Sequence, residues 1–292
     1  MKEALFYQKL ENNSVKCLLC NHYCQIASNN NGICQARRNI GGRLYSLNYG
    51  KIIAENIDPI EKKPLYYFLT GTLTYSIACA GCNFRCLNCQ NSDISQLTPK
   101  MINTIDQLPE ADPEEIIERA LAAGCPSIAY TYTEPTIFAE FALDCMKLAH
   151  HRGLANIWVS NGYMSPVCLE KIAPYLDAIN LDLKSFSDET YQKICGARLR
   201  PVLDNLIRLK NKNIHLEVTT LIIPSVNDSE KELGDLAKFI NNKLGAATPW
   251  HVSAFYPTYK LSNLPATAKE TILRAVEIGK KAGLEHVHGG NI

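Results

Sequence analysis

The stretch LTYSIACAGCNFRCLNC, residues 73–89, joins an apolar run to three closely spaced cysteines, Cys82, Cys86 and Cys89. The apolar run predicts a buried strand, and the C-x3-C-x2-C spacing places the three thiols on one short loop after it. Three thiolates can ligate three corners of a 4Fe-4S cluster and leave the fourth iron open. Zinc is the alternative metal for this loop, but zinc favours four ligands in a closed tetrahedron. The spacing therefore favours an iron-sulfur cluster with one open site.

A further cysteine, Cys79, stands three residues before the loop. As a fourth ligand it would close the cluster and make it an electron carrier. A small free cysteine also packs well at the end of a buried strand. We therefore expect Cys79 to be a core residue.

Similar short apolar runs recur along the chain, and helical patterns separate them. The six predicted strands cover residues 73–78, 127–132, 156–160, 178–183, 215–223 and 251–255. This alternation is typical of a parallel sheet built from βα units. Six units are too few for an eight-stranded barrel, so the sequence predicts an α/β fold with a partial (β/α)6 TIM-like barrel over residues 51–292. In such folds the chemistry lies at the C-terminal ends of the strands.

Helix ends are also readable. Asp112, followed by proline, predicts one helix start, and Ser229 and Thr267, each with a glutamate three residues later, predict two more. Gly153 and Gly283 predict helix ends, since glycine accepts the left-handed backbone found there.

The composition limits the class of protein. The chain has 292 residues, 46% of them hydrophobic, and a formal net charge of +1. This balance gives no indication of a nucleic-acid partner. No run is apolar and long enough to span a membrane, and the first residues lack the features of a secretory signal, so we expect a cytoplasmic protein without a membrane partner.

A second group of cysteines lies in a polar, asparagine-rich segment before the predicted barrel. It contains Cys17, Cys20, Cys24 and Cys34. Residues 1–50 are predicted to form a cysteine-rich metal-binding module in which the metal supplies folding energy. The spacing fits structural zinc and an auxiliary 4Fe-4S cluster equally well, and His22 could replace one thiolate.

Several segments resemble the radical SAM (S-adenosylmethionine) superfamily, and more closely the relatives of pyruvate formate-lyase activating enzyme. They are the cysteine loop and residues 58–65, 90–91, 160–163 and 182–184. The N-terminal cysteines make the chain similar to the branch called AmmeMemoRadiSam system radical SAM enzyme. The resemblance implies an enzyme in which SAM binds the open iron of the 4Fe-4S cluster and is cleaved to a 5'-deoxyadenosyl radical that abstracts hydrogen from a substrate.

The same resemblance implies partners. A flavodoxin or ferredoxin would supply one electron. The substrate would be a small molecule or a partner protein, as in the activases of glycyl radical enzymes, and Memo-like and AMMECR-like proteins are candidate partners. The alternative is a non-catalytic iron-sulfur electron-transfer or zinc-binding module.

The superfamily holds the methionyl amine of SAM with a Gly-Gly-Glu-Pro stretch, which corresponds here to residues 132–135. Only Glu134 and Pro135 match, because Tyr132 and Thr133 replace the glycines. The resemblance implies that Glu134 binds the amine. The alternative is that Glu134 only caps the following helix.

Other strand ends supply the remaining residues that the resemblance assigns to SAM. Lys184, oriented by Asp182, would face the SAM carboxylate, and Ser160 and Asn161 would contact its hydroxyls or methionyl part. His251 would lie near the adenine. The alternatives are a solvated lysine and a structural histidine.

One residue departs from the family pattern within the cysteine loop. The position before the last cysteine is commonly aromatic in relatives and packs on adenine, whereas here it is Asn88. Phe84 is a candidate substitute. Cys195 is expected to pack in the core, although a thiyl radical there is the alternative.

Overall fold

The computed structural model describes the backbone of all 292 residues and every side chain except those of Pro99, Lys100 and Asn103. The chain divides into two compact units. The first comprises Met1–Asn83 and Asn91–Ala178, and the second comprises Phe84–Gln90 and Ile179–Ile292.

Within the described residues, the strands β1 to β14 are Lys2–Glu3, Tyr7–Lys9, Val15–Cys17, Gln25–Ile26, Arg37–Ile40, Arg43–Ser46, Ile52–Pro59, Leu73–Cys79, Ser127–Tyr130, Ala155–Ser160, Ala178–Asp182, His215–Ile222, Trp250–Ala254 and Val287–Gly290. The α-helices α1 to α9 are Ser92–Ser95, Pro99–Gln107, Pro113–Ala122, Ala139–His151, Pro166–Ile172, Asp188–Thr190, Leu199–Asn211, Glu230–Phe239 and Lys269–Lys281.

The first unit contains three parallel strands, β8, β9 and β10, with β7 antiparallel to β8 at the edge. The residues of β9 are all buried, as expected for a parallel strand covered on both faces. Ile60, Leu65, Ala129 and Ile157 are fully buried in one hydrophobic cluster that holds this sheet against its connections. The carboxyl ends of β8, β9 and β10 carry Cys79, Tyr130 and Ser160.

The second unit contains the parallel strands β12, β13 and β14. The fully buried Trp250 on β13 donates its indole N–H to the Thr220 hydroxyl on β12 at 2.9 Å. Such a bond is needed because a buried polar group without a partner is costly.

The N-terminal residues of the first unit form two small antiparallel sheets, with the strand orders β1-β6-β5 and β2-β3-β4. These strands are only two to four residues long, and their sequences show no alternating pattern, so they were not predicted. Arg37 on β5 forms a buried ion pair with Glu140 on α4, with Nη2 2.5 Å from Oε2. The predicted boundary at residue 50 stays a prediction.

The predicted α/β fold with parallel strands is confirmed, and all six predicted strands are present within two residues of their expected bounds. Asp112 and Ser229 cap α3 and α8 as predicted. The prediction for Thr267 is wrong, because α9 begins at Lys269 without a side-chain cap. The Thr267 hydroxyl instead accepts from the Phe255 backbone and donates to the Ile222 carbonyl.

None of the helices in the described part of the chain is both long enough and apolar enough to cross a membrane.

Candidate functional site

Glu134 follows β9 in the first unit and is almost fully buried. Its Oε1 accepts from the Thr136 backbone N–H at 3.0 Å and from the Ser160 hydroxyl at 2.9 Å, and its Oε2 accepts from the Asn161 N–H at 2.8 Å. Burial raises the pKa of Glu134, and these hydrogen bonds oppose that rise. The carboxylate therefore caps the next helical turn and also ties the end of β9 to the end of β10.

Asn161 extends this network to the cysteine loop. Its Nδ2 donates to Asn83 Oδ1 at 2.7 Å and lies 3.8 Å from the sulfur of Cys82. Four sequence-predicted residues, Cys82, Glu134, Ser160 and Asn161, are thus brought into one hydrogen-bonded network within the first unit.

Gly81 gives the loop its direction immediately before Cys82. Its φ of +108° is unfavourable for residues with a side chain. A Cβ atom there would lie 2.9 Å from Ile137 Cδ1 and 3.0 Å from Leu97 Cδ1. Cys79, two residues earlier, is fully buried at the end of β8, in the core position expected for it.

Tyr132 occupies the position of the first glycine of the family's stretch and has the left-handed φ of +61° that a glycine would adopt easily. Its hydroxyl donates to Asp58 Oδ2, which also accepts from Lys63 Nζ at 2.7 Å. Lys63 Nζ lies 4.4 Å from the centre of the Tyr132 ring. These contacts hold the strained residue in place, and Asn91 donates to its carbonyl at 2.7 Å.

In the second unit, Lys184 Nζ lies 2.9 Å from Asp182 Oδ2 at the end of β11. Burial opposes its charge, yet Asp182 and then Cys86 raise the pKa of Lys184 well above its usual value. A hydrogen bond with Cys195 lowers the pKa of Cys86 despite burial, and Lys184 lowers it further. The predicted Asp182–Lys184 pair therefore lies in the electrostatic environment of a predicted cluster ligand.

One cavity of the second unit is lined by Asp182, Lys184, Asn88, Cys195 and Asn227 among others. The buried Oδ1 of Asn88 has no hydrogen-bond partner. Asn88 thus brings an acceptor without a protein partner to this cavity. Phe84 packs edge-on against Tyr191, with the ring centres 6.3 Å apart.

His251 is buried on β13 and makes a hydrogen-bonded pair. Its Nε2 lies 2.6 Å from Oε2 of the fully buried Glu217, whose Oε1 lies 2.9 Å from His215 Nε2. The His251 ring stacks on His288, with centres 5.3 Å apart. The structure thus places His251 near the amino end of β13, in a polar network between β12, β13 and β14.

This histidine network predicts an acid-sensitive contribution to stability. Burial, and then the neighbouring His251, lower the pKa of His288 below 6.5. A histidine with a lowered folded-state pKa contributes stability above the unfolded-state pKa and loses it as the pH falls below that value. The free energy of unfolding of the wild type should therefore fall more between pH 7.5 and 5.5 than that of His288→Gln, as measured by urea denaturation. Equal slopes would contradict the prediction.

The four N-terminal cysteines line one cavity of the first unit, together with Arg37 and Asn83 among others. Burial raises the pKa of Cys17 to about 12 and that of Cys20 well above its usual value. His22 lines the same cavity, and its Nε2 lies 2.8 Å from the Asn83 carbonyl oxygen.

Sequence reasoning did not assign roles to Asp58, Lys63, Asn83 or Arg37. Asp58 and Lys63 lie in the segment 58–65. The signal for their role is Tyr132, because a tyrosine in place of a glycine needs side-chain contacts that stabilise its backbone. Asn83 lies inside the cysteine loop, where the spacing of the cysteines gives no role to the residues between them. Arg37 gave no signal, because its partner is 103 residues away.

A family model described as "Radical SAM superfamily" matches residues 76–239. The chain is 43% identical, over its whole length and 86% of the relative, to "Uncharacterized protein MJ0808" of Methanocaldococcus jannaschii. It is 25% identical, over 70% of the chain and 87% of the relative, to the pyruvate formate-lyase 1-activating enzyme of Escherichia coli K12.

Among solved structures, a domain of the pyruvate-formate lyase-activating enzyme from Bacteroides vulgatus aligns with a TM-score of 0.51 at 17% identity. The alignment covers 56% of this chain and 99% of that domain. At this identity the likeness supports the fold.

Proposed function

Because the chain belongs to the radical SAM superfamily, we propose that Cys82, Cys86 and Cys89 hold a 4Fe-4S cluster at which the enzyme cleaves SAM reductively. When cluster and SAM are bound, one-electron reduction of the sulfonium breaks a carbon–sulfur bond and gives methionine and a 5'-deoxyadenosyl radical, which takes a hydrogen atom from the substrate. The protein's own side chains bind and orient the cluster and SAM.

The observation that carries the proposal is the network of the first unit. Cys82 lies next to Asn161, and Asn161 is tied through its backbone to Glu134 and, through that carboxylate, to Ser160. A predicted cluster ligand and three predicted SAM-binding residues are therefore held in fixed relation. Such a preorganised arrangement is what a radical enzyme needs to bind its cofactor close to the cluster.

The chemistry of the donor set fits the cluster. Cys82 has an amide N–H donor of Asn161 near its sulfur, and hydrogen bonds to sulfur help to set the potential of iron-sulfur sites. In the second unit, a hydrogen bond with Cys195 and then the charge of Lys184 lower the pKa of Cys86, which favours a thiolate. We infer that both ligands are held in surroundings suited to an anionic cluster.

The carboxylate of Glu134 is largely used by protein donors, so in this proposal it positions the strand ends, and its remaining acceptor capacity, with nearby backbone carbonyls, serves the methionyl amine. Lys184 serves the SAM carboxylate, and the unpartnered Oδ1 of Asn88 is an acceptor for the nucleoside part. Asp182 orients the Lys184 ammonium.

Lys184→Met should weaken SAM binding. A hydrogen bond to a charged group contributes about 1.5–3 kcal/mol, so we expect KM for SAM to rise roughly ten- to hundred-fold. Steady-state measurement of 5'-deoxyadenosine formation checks this. Lys193→Met is the matched control, because Lys193 is 72% exposed and forms a surface ion pair with Glu189. A Lys184→Met enzyme with unchanged KM would remove Lys184 from the SAM site.

The test of the proposed function is the formation of 5'-deoxyadenosine and methionine by the anaerobically reconstituted, reduced protein. We expect SAM-dependent 5'-deoxyadenosine even without the natural substrate, at a slow rate. A protein that carries a cluster and accepts electrons but forms no 5'-deoxyadenosine would be an electron-transfer module instead.

We further propose that the hydrogen atom is taken from a partner protein. This proposal is supported by the similarity, over 70% of the chain, to the pyruvate formate-lyase 1-activating enzyme of Escherichia coli K12. Incubation with deuterated candidate proteins, Memo-like and AMMECR-like proteins included, should transfer deuterium into 5'-deoxyadenosine, as read by mass spectrometry. Reduced flavodoxin or ferredoxin is the proposed electron donor.

A further inference from the structure

The N-terminal cavity of the first unit has a lining that is rich in cysteine. Its lining includes all four cysteines of the N-terminal group, Cys17, Cys20, Cys24 and Cys34. None of the four forms a disulfide. Four thiols around one cavity form a donor set for zinc or for an iron-sulfur cluster.

Two nitrogen donors in the same wall lack partners. Arg37 is 1% exposed, and although its Nη atoms bind Glu140 and the Ile137 carbonyl, its Nε has no hydrogen-bond partner. Asn83 is equally buried, and its Nδ2 has no partner. Buried N–H groups without an acceptor are rare and costly, so an acceptor is expected to belong here.

The acceptor that fits both donors is anionic sulfur. Thiolates and bridging sulfides accept hydrogen bonds from N–H groups, and such bonds help to tune iron-sulfur clusters. A bound metal group would replace the thiol protons and present the sulfur charge to Arg37 and Asn83.

A cluster and a single ion place different geometric demands on the four thiols. Among the residues whose side chains the structure describes, no three His, Cys, Asp or Glu side chains converge closely enough to hold one metal ion. Zinc requires its thiolates around one point, about 2.3 Å from the metal. A cube of four irons binds each thiolate at a different corner, so its ligands lie farther apart.

We propose that Cys17, Cys20, Cys24 and Cys34 hold a second 4Fe-4S cluster in this cavity, with Arg37 and Asn83 donating hydrogen bonds to its sulfur atoms. The cluster is fully ligated by protein, so it does not bind SAM. Asn83 connects this site with the cysteine loop, because its Oδ1 lies 3.8 Å from the Cys82 sulfur.

The direct test removes the first cluster and counts what remains. The variant Cys82→Ala/Cys86→Ala/Cys89→Ala, reconstituted anaerobically with iron, sulfide and equimolar zinc, should retain roughly four iron and four sulfide ions per chain, against about eight of each in the wild type. Mössbauer spectroscopy should identify a 4Fe-4S cluster. A variant that takes up one zinc ion, or no metal, would overturn the proposal.

Two further variants complete the count. Cys17→Ala/Cys20→Ala/Cys24→Ala/Cys34→Ala should lose about half of the wild-type iron, and Cys125→Ser, at a buried cysteine that does not line the cavity, should lose none. If the first of these does not fold, the triple variant still decides. Because the triple variant lacks the proposed SAM site by design, its iron content is independent of whether the protein cleaves SAM.

The role of Arg37 has a separate readout. In the triple variant, Arg37→Lys keeps the charge near Glu140 but removes the Nε donor, so the reduction potential of the remaining cluster should become more negative. Redox titration followed by electron paramagnetic resonance measures this shift. Arg38→Lys is the matched control, because Arg38 is exposed on the neighbouring position of the same strand. An unchanged potential in Arg37→Lys would overturn the donor role of Arg37.

Discussion

Cys86→Ala is expected to abolish 5'-deoxyadenosine formation, with a loss of roughly a thousand-fold or more, because the reaction depends on the cofactor that this thiolate is proposed to hold. A hydrogen bond with Cys195 and then the charge of Lys184 lower the pKa of Cys86, which favours the thiolate that a cluster needs. Anaerobic assays with SAM and a strong reductant, with product measured by chromatography, check this result. The iron content of the variant should fall with its activity.

Cys168→Ala is the control for Cys86→Ala. Cys168 is also fully buried, but it lies on α5 and belongs to neither cysteine group. Its replacement should leave activity and iron content close to those of the wild type. An active Cys86→Ala enzyme with a full cluster would contradict the assignment of the loop.

Glu140→Ala is expected to destabilise the first unit by about 3–5 kcal/mol, because it leaves the buried guanidinium of Arg37 without its carboxylate. Glu140 is 1% exposed, and it also accepts from the Leu5 backbone N–H at 3.0 Å. The carboxylate thus connects α4 with two N-terminal segments. Denaturant unfolding followed by circular dichroism measures the change in the free energy of unfolding.

An exposed ion pair provides the comparison for Glu140→Ala. Glu115 pairs with Arg119 on the surface of α3 at 3.2 Å, and its side chain is 60% exposed. Glu115→Ala should cost no more than about 1 kcal/mol. A Glu140→Ala protein that loses no more than this control would show that the buried pair contributes little.

The parts of the fold that the sequence predicted are those with a local pattern. The strand over residues 127–132 is predictable because it contains isoleucine, tyrosine and threonine, which favour strands. Helix α3 is predictable because Asp112 and the proline after it mark its start. β14 was missed, since Val287–Gly290 contains two glycines. Thr267 shows the limit of a local pattern, because a strand end 12 residues away uses the hydroxyl that should have capped the helix.

The residues of the candidate site could be proposed from the sequence, but the contacts between them could not. The cysteine loop is local in sequence, so its spacing was visible. The bond between Glu134 and Ser160 spans 26 residues, and that between Tyr132 and Asp58 spans 74 residues. No periodicity encodes such pairings, because they arise only when the strands are assembled.

The left-handed backbone of Tyr132 makes the effects of substitutions at three positions depend on one another. A return to glycine there would relax the backbone but would deprive Asp58 of a hydroxyl donor and Lys63 of the ring beside its ammonium. Asp58 and Lys63 would keep their own ion pair at 2.7 Å, but the contacts that stabilise Tyr132 depend on both of them. The effect of a substitution at one of the three positions therefore depends on the residues at the other two. Such epistasis restricts the order in which mutations can accumulate at this strand end.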